Sequence, residues 1–164
     1  MTREQYETLS APFRTPGRTK AVDWVNKGLT GFCYAAYPLL LLVLALNRDV
    51  RFWRALLVPG VAFVVLSVVR DRINAPRPYE VLDIQPLIHK ETRGHSMPSR
   101  HVFCMFLIAI TFLWAFAPVG VLLVVFGVIL AATRVVAGVH FPRDVLVGAL
   151  CGIVAGIIGF WVIP

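Results

Sequence analysis

Apolar and polar positions in this chain fall into long alternating blocks. No charged side chain occurs from Gly28 to Asn47, from Val102 to Thr133, or from Val145 to Pro164. An uninterrupted apolar run of about 18 or more residues has the length of a bilayer-spanning helix. The pattern predicts a first span over Gly28–Leu46. A second follows over Phe52–Val69, with Arg54 close enough to one end for its long side chain to reach the interface. The run from Val102 to Thr133 is too long for one span, and Ala117-Pro118-Val119-Gly120 divides it into two short helices. A last span runs from about Val145 to the C-terminus. The expected fold is all-α: a polytopic membrane bundle of about five transmembrane helices.

Residues 1–27 are polar and are broken by Pro12, Pro16 and Gly17. Within them, Thr19 to Lys27 mixes Ala21, Val22, Trp24 and Val25 with charges, the composition of a segment lying in the interface plane. The chain therefore divides into a polar N-terminal interfacial segment, 1–27, and a transmembrane domain, 28–164. Residues 70–100 form the one long polar stretch and carry Pro76, Pro78, Pro86 and Pro98. In a compact protein, loops of this length tend to be functional. Counting crossings puts this loop, the 134–144 segment and the N-terminus on the same side of the membrane.

Composition sharpens the picture. The 164 residues suffice for one domain, 58% of them are hydrophobic and only 15% are charged. With a mean hydropathy of +0.75, the chain is more apolar than a soluble domain of this size. A net charge of +7 raises the question of nucleic acid. The basic residues, however, form no stripe interleaved with aromatics. They gather at the ends of apolar runs, which fits membrane lipids with anionic head groups or a phosphorylated substrate and speaks against nucleic acid. Cys33, Cys104 and Cys151 all lie inside apolar runs, so neither a disulfide framework nor a zinc spacing is expected. The polar N-terminus lacks the apolar core of a cleavable signal peptide. Arg14, Arg18, Lys20 and Lys27 outnumber Arg48, Arg51 and Arg54 on the opposite face, a vote for a cytoplasmic reactive face. Several of those charges look chemical, so sequence does not assign the side.

Three clusters carry candidate chemistry. Arg70-Asp71-Arg72-Ile73-Asn74-Ala75-Pro76-Arg77-Pro78 leaves the second span, and Pro98-Ser99-Arg100-His101 enters the third. Thr133-Arg134 and Gly138-Val139-His140-Phe141-Pro142-Arg143-Asp144 join the fourth to the fifth. Ionisable residues at membrane depth are costly and point to function. Arg70, Arg77 and Arg134 supply planar, permanently charged forks that match phosphate oxygens, and Pro98 favours a helix start whose free N–H groups face the same anion. Phosphoryl transfer needs chiefly positioning and charge neutralisation, which this set provides. Pro142 should open the last helix with Asp144 in its first turn, near enough to fix the tautomer of His140 and leave a nucleophilic ring nitrogen. His101 is then placed to protonate the leaving oxygen.

Arg70-x6-Arg77-Pro78, Pro98-Ser99-Arg100-His101 and Thr133-Arg134-x5-His140-x3-Asp144 resemble the three-part signature of the type 2 phosphatidic acid phosphatase (PAP2) superfamily: Lys-x6-Arg-Pro, Pro-Ser-Gly-His and Ser-Arg-x5-His-x3-Asp. All three internal spacings are kept. The resemblance implies a PAP2-like bundle of packed helices and a vanadate-sensitive, metal-independent hydrolase working through a phosphohistidine. It implies His140 as nucleophile, Asp144 as its partner and His101 as general acid, with phosphate bound by Arg70, Arg77, Ser99 and Arg134. No cofactor and no metal site are expected. Arg70 stands in place of lysine, Thr133 in place of serine and Arg100 in place of glycine. The Arg100 guanidinium is expected to bind substrate as well, at a second phosphate or a bulky anionic head group.

The expected substrate is a lipid phosphomonoester or diphosphate. Polyprenyl diphosphate, phosphatidic acid and phosphatidylglycerophosphate all fit, and the compact size favours a bacterial plasma-membrane enzyme with undecaprenyl diphosphate first. A phosphotransferase using the same intermediate and a non-catalytic anion-binding membrane protein are the alternatives. Gly148, Gly152 and Gly156 recur every four residues and allow another helix to approach closely, either within the chain or across a homodimer. His89 and His95 fit no motif and are expected to be loop residues.

Overall fold

The computed structural model describes residues 1–163; Pro164, placed by sequence at the end of the last span, lies outside the described residues. Among the described residues there are helices and no strands. The elements are α1 (Arg3–Ser10), a 3₁₀ turn (Ala11–Phe13), α2 (Pro16–Leu46), α3 (Arg51–Ile73), α4 (Pro78–Val81), α5 (Arg100–Ala115), α6 (Ala117–Val136) and α7 (Pro142–Ile157). A π-helical turn, Ile158–Val162, continues α7.

Helices α2, α3, α6 and α7 with its extension are each long and apolar enough to cross a membrane. Their outer faces carry Leu39, Val64, Val128 and Leu150, each 58–60% exposed. So continuous an apolar exterior is explained by lipid as the solvent. The shorter α5 is wrapped by the others and packs most extensively against α6 and α7. Eleven of its residues, Val102 to Phe112, are buried consecutively. A helix apolar on every side is a core helix, so its sequence shows no distinct polar face.

The predicted break between the third and fourth spans falls at Phe116, whose extended backbone separates α5 from α6, with Pro118 in the first turn of α6. Proline lacks an N–H, and the first helical turn is where that loss is harmless. The N-terminal reading needs refinement. α2 begins at Pro16 and runs unbroken through residue 27, so the polar stretch 16–27 forms the first turns of the spanning helix. Pro16 at its start explains this, because a proline that ends one segment also pre-sets the backbone to begin the next helix.

The glycine ridge of α7 is consumed inside the chain. A Cβ at Gly148 would lie 2.7 Å from the Ser99 carbonyl oxygen, one at Gly152 2.6 Å from that of Phe103, and one at Gly156 2.5 Å from the Ile110 side chain. Because α5 fills this face, Gly148, Gly152 and Gly156 are not available to a second copy, and the homodimer contact expected of them is withdrawn.

Candidate functional site

The three sequence clusters meet at one end of the bundle. The N-termini of α5 and α7 are joined directly, since the Ser99 N–H donates to the Asp144 carbonyl at 2.9 Å. The long loop is tied back onto the end of α3. Asn74 adopts a left-handed conformation at φ 41° and ends α3, and its side-chain oxygen accepts the His95 N–H at 3.2 Å. The Ser96 N–H donates to the Ala75 carbonyl at 2.8 Å. Glu80 clamps the same region by accepting the backbone N–H groups of Arg77 at 2.7 Å and Gly94 at 2.9 Å. Farther along, the Leu87 N–H donates to the Ala137 carbonyl at 3.0 Å, and Leu87 and Ile88 pack on Val22, Ala137 and Val139. These ties bring residues distant in sequence around one point.

Arg70, Arg77 and Arg134 are all buried. Arg70 Nη1 donates to the Pro98 carbonyl at 2.7 Å, beside the start of α5. Arg77 spans three carbonyls: Nε to Gly94 at 3.0 Å, Nη1 to Val139 at 3.2 Å and Nη2 to His95 at 3.4 Å. Arg134 reaches Asn26 Oδ1 of α2 at 2.7 Å and His101 Nδ1 at 3.1 Å. Among the described residues no ion pair involves any of these three guanidinium groups. The buried Arg134 Nε and Ser99 Oγ likewise have no hydrogen-bond partner among the described residues. A buried charge without a counter-ion costs several kcal/mol and persists where an anion is to be bound.

His140 and Asp144 are 1% and 0% exposed, with His140 Nδ1 3.7 Å from Asp144 Oδ2. Burial, reinforced by the nearby Arg134 and Arg77 charges, pushes the His140 imidazole down to about 3 despite the Asp144 carboxylate. The ring is therefore neutral at physiological pH, with a ring nitrogen free to act as a nucleophile. Arg134 donates to Nδ1 of His101, so the proton of that neutral ring sits on Nε2. Arg100 stands slightly apart, its guanidinium over the Phe63 ring of α3 at 5.4 Å from the centroid. Next to it an apolar groove of about 370 Å³ runs between α2, α3 and α5, lined by Tyr34, Tyr37, Phe63 and Leu107 among others. His95 sits at the loop's edge with Nδ1 3.3 Å from Asp71, and His89 lies outside the cluster beside Glu91.

Three contributors were not legible in the sequence. Ser96 is fully buried, and its hydroxyl lies 2.5 Å from Asp144 Oδ2 and 3.3 Å from His140 Nδ1. Lys90 is half-buried in the loop; burial and the charges of Arg134, Arg77 and Arg70 bring its ammonium down to about 8. Asn26 reaches the cage from α2 across 108 positions of sequence. The only sequence cue to any of them was membership of a long polar loop or a polar helix start. No group of three or more metal-ligating side chains gathers among the described residues.

The model of the PAP2 superfamily matches residues 51–164. The chain is 30% identical over 159 residues to the undecaprenyl-diphosphatase BcrC of Bacillus subtilis, an alignment covering 94% of this chain and 80% of that protein. It is 29% identical to phosphatidylglycerophosphatase B of the same organism, covering 79% of this chain and 71% of the relative. Among solved structures, LpxE of Aquifex aeolicus superposes with a TM-score of 0.74 at 27% identity, covering 96% of this chain and 93% of that one. With its spanning helices and the family match over most of its length, this integral membrane protein belongs to the PAP2 superfamily.

Proposed function

We propose that the chain is a metal-independent lipid phosphatase of the bacterial plasma membrane, acting on a lipid phosphomonoester or diphosphate through a phosphohistidine. The observation that carries this reading is the set of three buried arginines, none of them in an ion pair among the described residues, gathered around two neutral imidazoles. Such a set balances its charge only against a multiply charged anion, and phosphate takes guanidinium forks bidentately.

Arg70, Arg77 and Arg134 hold the phosphoryl oxygens, joined by Ser99 Oγ and the N–H groups opening α5. His140 turns Nδ1 toward Asp144 and attacks phosphorus through Nε2. The P–N bond forms as the P–O bond to the leaving group breaks, at the lipid oxygen of a monoester or the bridging oxygen of a diphosphate, and His101 gives that oxygen its proton. Arg134 plays a double part. When phosphate takes over its guanidinium, His101 Nδ1 is released to bind the proton that makes the ring an acid. Water, deprotonated by His101, then cleaves the P–N bond, releasing inorganic phosphate and restoring His140. Arg100 and Lys90 extend the cage toward a second phosphate, and the apolar groove beside Arg100 accepts the start of the lipid chain. The similarity to an undecaprenyl-diphosphatase over 94% of the chain favours a polyprenyl diphosphate as first substrate.

The test is phosphate release by purified protein across a panel of lipid phosphates, with His140→Ala as the blank. The expected outcome is near-complete loss in the variant, with the highest turnover on polyprenyl diphosphate. Wild-type turnover by His140→Ala would overturn the mechanism, and phosphate appearing on an added alcohol would identify a transferase.

A further inference from the structure

The contact between His140 and its carboxylate is indirect. At 3.7 Å, the separation of Nδ1 and Asp144 Oδ2 exceeds a hydrogen bond, and the Ser96 hydroxyl is within reach of both atoms, 3.3 Å from the first and 2.5 Å from the second. Ser96 is held there by two independent constraints. Its side chain is fully buried, and its N–H is fastened to the Ala75 carbonyl at the end of α3. Asp144 is fastened too, since Oδ2 also accepts the Phe141 N–H at 2.9 Å.

We propose that Ser96 is a positioning residue that relays Asp144 to His140 and thereby sets which ring nitrogen attacks phosphorus. This rests on the phosphohistidine reading above. A hydroxyl has one proton to donate, and an ionised carboxylate can only accept. The short bond to Asp144 therefore takes the Ser96 proton, leaving an oxygen lone pair facing Nδ1. Only an N–H can meet that lone pair, so His140 carries its proton on Nδ1 and presents the Nε2 lone pair. When Nε2 binds phosphorus the ring becomes positively charged and keeps the Nδ1 proton. The Ser96 oxygen, polarised by Asp144, stabilises that charge with no proton moving along the chain.

The experiment compares wild type, Ser96→Ala, Ser96→Cys and His140→Ala in phosphate release, in trapping of acid-labile phosphoenzyme, and in ¹⁵N spectra of the His140 ring. Ser96→Ala should lower kcat by roughly 30-fold or more with KM within about two-fold, the signature of losing an orienting hydrogen bond felt in the transition state. Ser96→Cys keeps a weak donor on a somewhat larger side chain, so its kcat should fall between those of wild type and Ser96→Ala. The spectra should report an Nδ1–H ring in wild type and a mixture of tautomers in Ser96→Ala. A folded Ser96→Ala with unchanged kcat and tautomer would overturn the relay; should that variant not fold, an Nε2–H ring in wild type would do the same. Failure to trap any phosphoenzyme in active wild type would instead sink the phosphohistidine reading, so the two failures are distinguishable.

Discussion

Gly148→Ala should damage catalysis without touching a single proposed catalytic side chain. The added Cβ would stand 2.7 Å from the Ser99 carbonyl oxygen and 3.2 Å from the Ser99 nitrogen, both backbone atoms that no rotamer change can move aside. A tolerable carbon–oxygen approach is about 3.3 Å, so α5 and α7 must separate locally by about 0.6 Å. That separation falls on the bond from the Ser99 N–H to the Asp144 carbonyl, now 2.9 Å, which ties the helix start bearing Ser99 and His101 to the one bearing Asp144. A misplacement of about 1 Å costs on the order of 10²-fold in rate, so the shift should lower kcat by about 10-fold. The same overpacking should cost about 1–3 kcal/mol of stability. Phosphate release and thermal unfolding in detergent measure the two effects. Gly31→Ala in α2 is the control, because nothing lies within 4 Å of a Cβ there. It should be neutral or stabilising, by up to about 1 kcal/mol of helix propensity. Wild-type kcat and stability in Gly148→Ala would refute the packing argument.

Arg77→Lys keeps the charge but not the fork that spans the Gly94, Val139 and His95 carbonyls, so kcat/KM should fall by about 10²-fold, measured by initial rates. A near-normal value would mean that Arg77 serves only as a point charge. Lys90 loses its ammonium as pH rises through about 8, so KM for a lipid phosphate should climb above that pH. Lys90→Arg should carry the low KM to higher pH, and a wild-type KM flat between about pH 7 and 10 would remove Lys90 from the binding site. Treatment with excess EDTA should leave phosphate release intact, and loss restored by a divalent cation would overturn the metal-independent reading. His140 is neutral in the folded chain down to about 3 but protonates near 6.5 once unfolded. Its contribution to stability is therefore present above the unfolded value and is lost as pH falls from there toward 3, which unfolding midpoints across that range will show.

What could be read from sequence and what could not divides on physical lines. A helix break beside Pro118 was legible because proline acts locally, although it falls at Phe116, and the predicted divider Ala117–Gly120 forms the first turn of α6. The spacing of Arg70 to Arg77, and of Arg134 through His140 to Asp144, was legible because each runs from a helix end across one short connection. Ser96 and Lys90 were missed because their positions come from loop docking, through the Ala75 and Ala137 carbonyls, and backbone bonds of that kind leave no residue-type signature. Asn26 was hidden inside a stretch read by composition as an interfacial segment, when the helix passes straight through it. The glycine ridge was recognised as a close-approach surface, but periodicity along one helix does not name the helix opposite.

The brevity of α5 has a consequence for how a lipid meets the enzyme. Sixteen residues of helix measure about 24 Å, short of a hydrocarbon core of about 30 Å. Its Phe116 end is anchored at the far polar turn, where Arg51 Nη1 donates to the Ala115 carbonyl at 3.3 Å. The shortfall therefore falls at the Ser99 end, and on the proposed function the phosphate is met on the inner side of the head groups. A lipid arriving sideways sinks its phosphate inward by a few ångströms without lifting its chain from the oil. On the proposed reaction the lipid product stays dissolved in the bilayer, and inorganic phosphate alone departs into water.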